Sequence, residues 1–349
     1  MDTPNSVLTL SDLDPWSFPG TALAVLGHPI KHSVSPPMHN AALAQMALVD
    51  PRFATWRYVR FDIAPEDLPV ALEKLHARGF LGINLTVPHK IIAFDRVAAL
   101  DPAARPIGAV NTLLRTPAGW HGFNTDGYGL ATAIREDLGR ELSGAHILLL
   151  GAGGAARGAA VECLQRGCAS LRISNRSRSN LDALLAQLAP LAGKIPLAAF
   201  DLADVPSGAL VINATSAGLK PTDPLPVDLA ALAARARPAG VYDMIYNPPE
   251  TPLLAQARAL GLPASNGLGM LIHQGVRALE IWSRAPVPVE AMRTAVQASS
   301  YDYNNAQFGS ILNAGSWHNG SGNYLFVDGH ATTLKPENLL PVNFYRGRQ

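Results

Sequence analysis

From Thr21 to about Leu114, short apolar runs alternate with stretches whose apolar positions recur every three or four residues. The first kind suits strands buried on both faces, and the second suits helices laid against them. The pattern predicts strands at Ala22–Leu26, Trp56–Asp62 and Gly82–Thr86, with helices over Pro37–Ala47 and Pro65–Arg78. These are βαβ units of an open, largely parallel sheet. A second start comes at Ala145–Leu150, where an apolar run enters a glycine turn, and strands recur at Leu171–Ser174, Leu210–Asn213 and Gly240–Asp243. That rhythm predicts a doubly wound nucleotide-binding unit. Beyond Gly267 the helical periodicity of Gly269–Trp282 and Val289–Gln297 has no strand partner, so these helices are expected to pack back on the first unit. From Ser299 the text changes to Asn, Gly, Tyr and Ser, with one strand-like run at Tyr324–Val327 before the turn Asp328-Gly329. No repeat of fixed period is present.

A chain of 349 residues is long for one core and short for three, which favours two α/β domains. The expected division is an N-terminal extension over 1–20, a first domain over 21–125, a Rossmann-type domain over 126–266, returning helices over 267–298 and an appended tail over 299–349.

The turn Gly151-Ala152-Gly153-Gly154-Ala155-Ala156 follows a strand and opens a helix, so its backbone N–H groups and the positive helix end can approach a pyrophosphate. Alone, such a glycine turn is equally an ordinary strand-to-helix connection. The next strand ends in Ser174-Asn175-Arg176-Ser177-Arg178, with no carboxylate for a ribose 2′-hydroxyl and two arginines that suit a 2′-phosphate. NADP is therefore favoured over NAD, against the plainer reading of a solvated basic turn.

In the first unit, His32-Ser33-Val34-Ser35-Pro36 places two hydroxyls where open α/β sheets bind ligands, although taken alone it is a helix cap. Asn84-Leu85-Thr86-Val87-Pro88-His89-Lys90 gathers an amide, a hydroxyl and an amine at a strand end. Ala109-Val110-Asn111-Thr112 and Asn124-Thr125-Asp126-Gly127 add amides and a carboxylate. Read singly, Lys90 is a surface lysine and Asp126 a turn residue.

Taken with Asn-Arg-Ser at 175–177, Ile212-Asn213-Ala214-Thr215-Ser216, Tyr242-Asp243-Met244-Ile245-Tyr246 and Gly267-Leu268-Gly269-Met270-Leu271, these motifs make the chain resemble the shikimate dehydrogenase family over about residues 21–298. The resemblance implies a shikimate-binding catalytic domain followed by an NADP-binding one, and reversible NADPH-linked reduction of 3-dehydroshikimate to shikimate in aromatic amino-acid biosynthesis. It makes Lys90 and Asp126 the catalytic pair. It assigns Ser33 and Ser35 to the substrate carboxylate, and Asn84, Thr86, Asn111, Tyr246 and Gln274 to that carboxylate or the ring hydroxyls. NADP contacts fall to Gly151, Ala152, Gly153, Gly154, Ala155, Asn175, Arg176, Met244 and Gly267, with Thr215 and Ser216 nearby. Two departures stand out: position 180, where the family often carries a second arginine, is Asn180, and the family ordinarily stops close to residue 298. The tail instead resembles the end of prepilin-like secretion proteins, with His318 nine residues before Asp328-Gly329. A plain hairpin is expected there rather than an interaction module, and a metal site from His318, Asp328 and His330 less still.

Composition narrows the alternatives. With 48% hydrophobic and 16% charged residues and a net charge of +1, nothing electrostatic calls for nucleic acid or an anionic membrane, so the expected partner is a small molecule. No apolar run reaches the ~18–20 residues of a membrane span, and the first twenty residues carry Asp2, Asp12 and Asp14 in place of a basic leader, which points to a cytoplasmic protein. A monomer or homodimer is expected. Cys163 and Cys168 read as buried apolar residues, and His28, His32, His39, His89 and His121 lack metal-ligand spacing, so no metal is expected. Two competing readings remain: a quinate/shikimate dehydrogenase with relaxed substrate or cofactor choice, against which the Asn-Arg-Ser turn speaks, and a non-catalytic binding or regulatory relative, against which Lys90 and Asp126 speak.

Overall fold

Strands β1 (Val7–Leu8), β2 (Thr21–Gly27), β3 (Trp56–Asp62), β4 (Gly82–Leu85), β5 (Ala99–Leu100), β6 (Thr112–Thr116) and β7 (Gly119–Phe123) form one sheet in the order β1-β3-β2-β4-β6-β7-β5. The structure, a computed structural model, describes residues 6–220, 222–307, 322–325 and 331–334. Helices α1 (Ser35–Val49), α2 (Leu68–Ala77) and the one-turn α3 (His89–Ile92) belong to this sheet. Along β2, Ala22, Ala24 and Leu26 enter one buried cluster with Leu72 and Leu75 of α2, while Leu23 and Val25 enter another with Met38 and Leu43 of α1. That alternation is the period-two signature of a strand covered on both faces. β6 pairs antiparallel with both β4 and β7, so the sheet is mixed. Val7–Leu8 pairs with Arg60–Phe61, which brings part of the first twenty residues into the sheet instead of leaving them as an extension.

A second sheet holds β8 (His146–Leu150), β9 (Ser170–Ser174), β10 (Leu197–Ala199), β11 (Leu210–Asn213), β12 (Gly240–Asp243) and β13 (Ala264–Ser265), all parallel, in the order β10-β9-β8-β11-β12-β13. The order reverses direction at β8, so a crevice opens at its C-terminal end, the usual ligand position in such sheets. Between the two sheets runs α4 (Asp126–Leu138), and β8 passes through the glycine turn into α5 (Gly154–Gln165). The helices α6 (Arg178–Ala192), α7 (Leu229–Ala236) and α8 (Pro252–Ala259) complete this unit. Ile147 and Leu149 pack with α5 and α6, and Leu148 and Leu150 with α7 and α8.

Two long helices, α9 (Leu268–Ser283) and α10 (Val289–Gln307), then return to the first sheet. Ile272, Val276, Trp282, Met292 and Val296 share a core with Leu23 and Met38, and the Trp282 indole donates to the Leu113 carbonyl at 2.9 Å. α9 also lies very close to α4: a Cβ at Gly129 would stand 2.6 Å from the Met270 carbonyl oxygen, and one at Gly269 2.7 Å from Asp137 Oδ2. Glycine at both positions is what lets the helices meet, and their contact ties the two sheets together at the cleft.

In the tail, β14 (Gly322–Leu325) pairs antiparallel with β15 (Ala331–Leu334), whereas His318, Asp328 and His330 lie outside the described residues. Among the described residues no helix is long and apolar enough to cross a membrane. Cys163 and Cys168 are buried free thiols.

Candidate active site

Lys90 sits on α3 and Asp126 opens α4, and they meet in an ion pair, Lys90 Nζ to Asp126 Oδ2 at 2.6 Å, both side chains half-buried. The carboxylate is held from its other side. Asn111 Nδ2 donates to Asp126 Oδ1 at 2.8 Å and to Thr125 Oγ1 at 3.0 Å, and Asn111 Oδ1 accepts from the Thr125 backbone N–H at 2.8 Å. A carboxylate can only accept from this amide and an N–H can only donate to it, so the two contacts fix which way the Asn111 carboxamide points. The Asp126 backbone N–H is taken up by Asn124 Oδ1 at 3.1 Å, and the carboxylate stands in the first turn of α4, where the helix dipole favours a negative charge.

The cavity beside this pair is lined by Ser35, Asn84, Thr86, Lys90, Asp126, Tyr246 and Gln274, with Val25, Leu85, Met270 and Leu271 as apolar walls. It thus brings together residues from α1, β4, α3, α4 and α9, which are far apart in sequence. Asn84 is nearly saturated: Tyr58 Oη donates to its Oδ1 at 2.7 Å, and its Nδ2 donates to the Asn111 carbonyl at 3.1 Å and to Thr112 Oγ1 at 3.0 Å. What remains is one acceptor site on Oδ1, suited to a ligand hydroxyl. Gln274 is partly engaged as well, its Nε2 donating to the Leu271 carbonyl at 2.8 Å. Burial raises the Tyr246 phenol above its ordinary pKa, so it faces the cavity as a neutral donor.

Two of the residues expected at the substrate already bond to protein atoms. Asn111 is outside the cavity lining, and both its amide hydrogens are engaged by protein atoms; its place is behind Asp126. Ser33 Oγ accepts from the Ser35 backbone N–H at 3.3 Å, a local turn contact just before α1, while Ser35 alone of the two lines the cavity.

Beneath the site lies a supporting layer that the motifs do not reveal. Arg60, 7% exposed, donates through Nη1 to the carbonyls of Lys31 and Ser33 at 2.7 and 3.1 Å and braces the serine loop from below. The His39 ring stacks on Tyr58 with centroids 4.1 Å apart and donates from Nδ1 to the Ser35 carbonyl at 2.9 Å; complete burial lowers its pKa to about 4. A basic residue inside a strand that alternates apolar positions, as at Arg60, was the one available signal. Of the other histidines, His28 pairs with Asp62 at 2.6 Å and His89 is buried; among the described residues no three metal-binding side chains cluster.

On the opposite wall, Gly151 adopts φ +114° and its N–H bonds to the Ser174 carbonyl at 2.7 Å, which pins the glycine turn against β9. A side chain at Gly151 would also crowd the Ala214 carbonyl at 3.1 Å, whereas a Cβ at Gly153 or Gly154 would meet no protein atom. Those two exposed residues open α5, and the free room over their N–H groups fits a pyrophosphate. Ala152, Gly153 and Gly154 line a groove with Ile91, Arg157, Asn180 and Gln187; exposed Ala155 follows on the first turn of the helix. Asn175 Nδ2 donates to the Ser177 carbonyl at 2.8 Å and shapes the turn after β9. Arg176 is exposed with no carboxylate in salt-bridge range among the described residues, while Arg178 is held by Asp182 at 2.9 Å. An NADP cofactor therefore fits: a cradle of backbone N–H groups for the pyrophosphate, one available guanidinium for a 2′-phosphate, and no carboxylate in that turn to repel it.

Met244 and Gly267 line the substrate-side cavity itself, together with Lys90. Glycine is required at 267 because a Cβ there would lie 2.1 Å from the Met244 carbonyl oxygen. Thr215 turns inward, its Oγ1 donating to Asn213 Oδ1 at 2.7 Å, and Ser216 beside it is exposed. Beneath the crevice, buried Asp243 accepts from Asn213 Nδ2, the Ile245 N–H and Thr251 Oγ1, which locks the ends of β11 and β12 together; burial raises its pKa.

Comparison with known proteins agrees with this geometry. Residues 25–113 match the family model of the shikimate dehydrogenase substrate binding domain, and residues 267–297 match that of the shikimate 5′-dehydrogenase C-terminal domain. The shikimate dehydrogenase (NADP(+)) of Symbiobacterium thermophilum is 40% identical over 292 residues, covering 80% of this chain and 95% of the relative. Among solved structures, shikimate 5-dehydrogenase from Thermus thermophilus, in complex with NADP(H) and shikimate, is 33% identical with a TM-score of 0.70, covering 80% of this chain and 99% of its own. The ligand-free 5-ketofructose reductase of a Gluconobacter species has the same TM-score and the same coverage at 30% identity.

Proposed function

The chain belongs to the shikimate dehydrogenase family, and from that premise we propose that Lys90 and Asp126 are the working pair of its active site. The enzyme reduces 3-dehydroshikimate to shikimate reversibly with NADPH, a step in the biosynthesis of chorismate and the aromatic amino acids. The observation that carries the assignment of roles is the 2.6 Å contact between Lys90 and Asp126 at the edge of a cavity lined by hydroxyl and amide groups.

NADPH, held by the glycine turn and Arg176, would supply the hydride that the carbonyl carbon takes. As charge builds on the carbonyl oxygen, the Lys90 ammonium donates a hydrogen bond to it and hands over a proton; in the reverse direction the amine takes that proton back. Asp126 orients the ammonium and keeps a counter-charge beside it, and Asn111 keeps Asp126 in place through its 2.8 Å bond. Ser35 and the neutral Tyr246 phenol offer hydroxyl donors to the substrate carboxylate, and Asn84 Oδ1 accepts from a ring hydroxyl, with Thr86 and Gln274 completing the polar lining. Because Asn84, Asn111, Asp126 and Lys90 are already linked by hydrogen bonds, this part of the site needs little reorganisation during the reaction. We place the enzyme in the cytoplasm, in keeping with its two buried free thiols, as a monomer or homodimer.

Initial rates with shikimate, quinate and, in the reductive direction, 5-ketofructose, each with both nicotinamide cofactors, test the reading. The expected result is fastest turnover with shikimate and NADP. Equal or faster turnover of quinate, or of 5-ketofructose, would replace the substrate assignment.

A further inference from the structure

The groove beside the glycine turn contains a cation whose role the site described above leaves open. Arg157 lies on α5 three residues after Gly154, so it shares a helix face with the exposed N–H groups that open the helix. Its side chain is half-buried, and no carboxylate lies within salt-bridge distance of it among the described residues. Neighbouring arginines differ: Arg166 is paired with Glu162, Arg172 with Asp204, Arg178 with Asp182. The groove that Arg157 lines contributes Asn180 and Gln187 as its other polar side chains and no acidic residue.

Its position across the cleft is equally specific. The guanidinium lies against the first domain, 3.4 Å from where a Cβ on Gly108 would stand. Ile91, the immediate neighbour of Lys90 on α3, lines the same groove, so the one-turn helix that carries the reactive lysine into one cavity also walls the other. The groove is therefore adjacent to the reaction site and bounded by both domains. Arg176 follows β9, where a ribose 2′-phosphate is read; Arg157 stands by the helix N-terminus, where the pyrophosphate of any nicotinamide dinucleotide sits.

We infer that Arg157 is the pyrophosphate-binding cation of the cofactor site, serving the part that NAD and NADP share, whereas Arg176 reads the 2′-phosphate that distinguishes them. This rests on the reading of the glycine turn as the dinucleotide site. The division of labour makes Arg157 a determinant of affinity and Arg176 one of cofactor choice.

Direct binding of NADPH and NADH, followed by nicotinamide fluorescence in the absence of substrate, tests it on the full chain. Arg157→Gln should weaken both cofactors by the same factor, roughly tenfold for one lost charge-assisted contact, while Arg157→Lys recovers much of the loss. Arg176→Gln should weaken NADPH alone. Unchanged binding of both cofactors in Arg157→Gln, or a loss confined to NADPH, would overturn the proposal. A wild-type protein that bound neither cofactor would overturn the cofactor reading itself and this inference with it. Thermal melting of each variant separates lost binding from lost folding: a loss in Arg157→Gln with an unchanged melt supports the proposal, and one that follows only from unfolding in both variants counts against it.

Discussion

On the first domain's side of the cleft, Asn84, Asn111, Thr112 and Thr125 bond to one another and to Asp126, so that nearly every donor already has its acceptor. On the nucleotide side, Gly153 and Gly154 face open room and Arg176 stands exposed without a carboxylate. The first wall is organised before ligand arrives; the second is completed by the ligand. Energetically the two should behave differently, because removing a group from a saturated buried network leaves its partners unsatisfied, whereas removing an exposed cation costs only what the ligand gained from it. Substitutions in the buried amide and hydroxyl network of the first wall are expected to affect stability and turnover together, and those on the second wall to affect cofactor affinity alone.

Asn111→Ala breaks this contrast most severely. It strips the Thr125 N–H of its acceptor and releases Asp126, so unfolding free energy should drop by about 2–4 kcal/mol. Turnover should fall roughly 100-fold through misplacement of the reacting pair, with the KM for NADPH little changed. Denaturant titration and steady-state kinetics check both halves, and a variant with normal stability would show the network to be slack.

His39, which supports the same wall, makes a prediction in pH. Its folded pKa of about 4 lies below the ordinary 6.5, so the folded state disfavours the proton. The stability tied to its neutral form is whole above pH 6.5, declines as pH falls and is gone below about pH 4, an amplitude of about 3 kcal/mol. His39→Phe keeps a ring against Tyr58 and removes the titration, so its urea midpoint should decline less than wild type between about pH 7 and 4.5. Parallel declines would contradict the account.

On the other wall, Arg176→Gln should raise the NADPH KM about tenfold and leave the melting temperature in place. Arg178→Gln should change little, under about twofold, since that guanidinium is already engaged by Asp182 in an exposed i,i+4 pair. A reversal of those two results would move the 2′-phosphate site along the turn.

The sequence made some of this architecture visible and concealed the rest for identifiable reasons. Strands such as Leu210–Asn213 and Gly240–Asp243 are buried on both faces and stand out as apolar runs with the bounds expected of them. The helix α4 was hidden because Gly127 and Gly129 imitate a turn; both are small to admit a neighbour, as a Cβ on Gly127 would lie 2.3 Å from Glu162 Oε2. The β6–β7 hairpin was hidden by Arg115 and His121, polar residues on a strand pair near the sheet edge. At the site, residue type announced which side chains could do chemistry. Whether a given amide would face the ligand or its neighbours could not be announced in the same way, since Asn84 and Asn111 differ only in what the fold places around them. Arg157 lay unremarked inside a helical pattern, where one arginine among alanines carries no local signal.

The most direct test of the central claim is turnover of shikimate by Lys90→Ala, measured beside its NADPH affinity. The kcat is expected to fall by about 1,000-fold while cofactor binding and the melting temperature stay near wild type. Turnover within a few-fold of wild type would contradict the claim, because the ammonium at 2.6 Å from Asp126 would then have no part in the reaction.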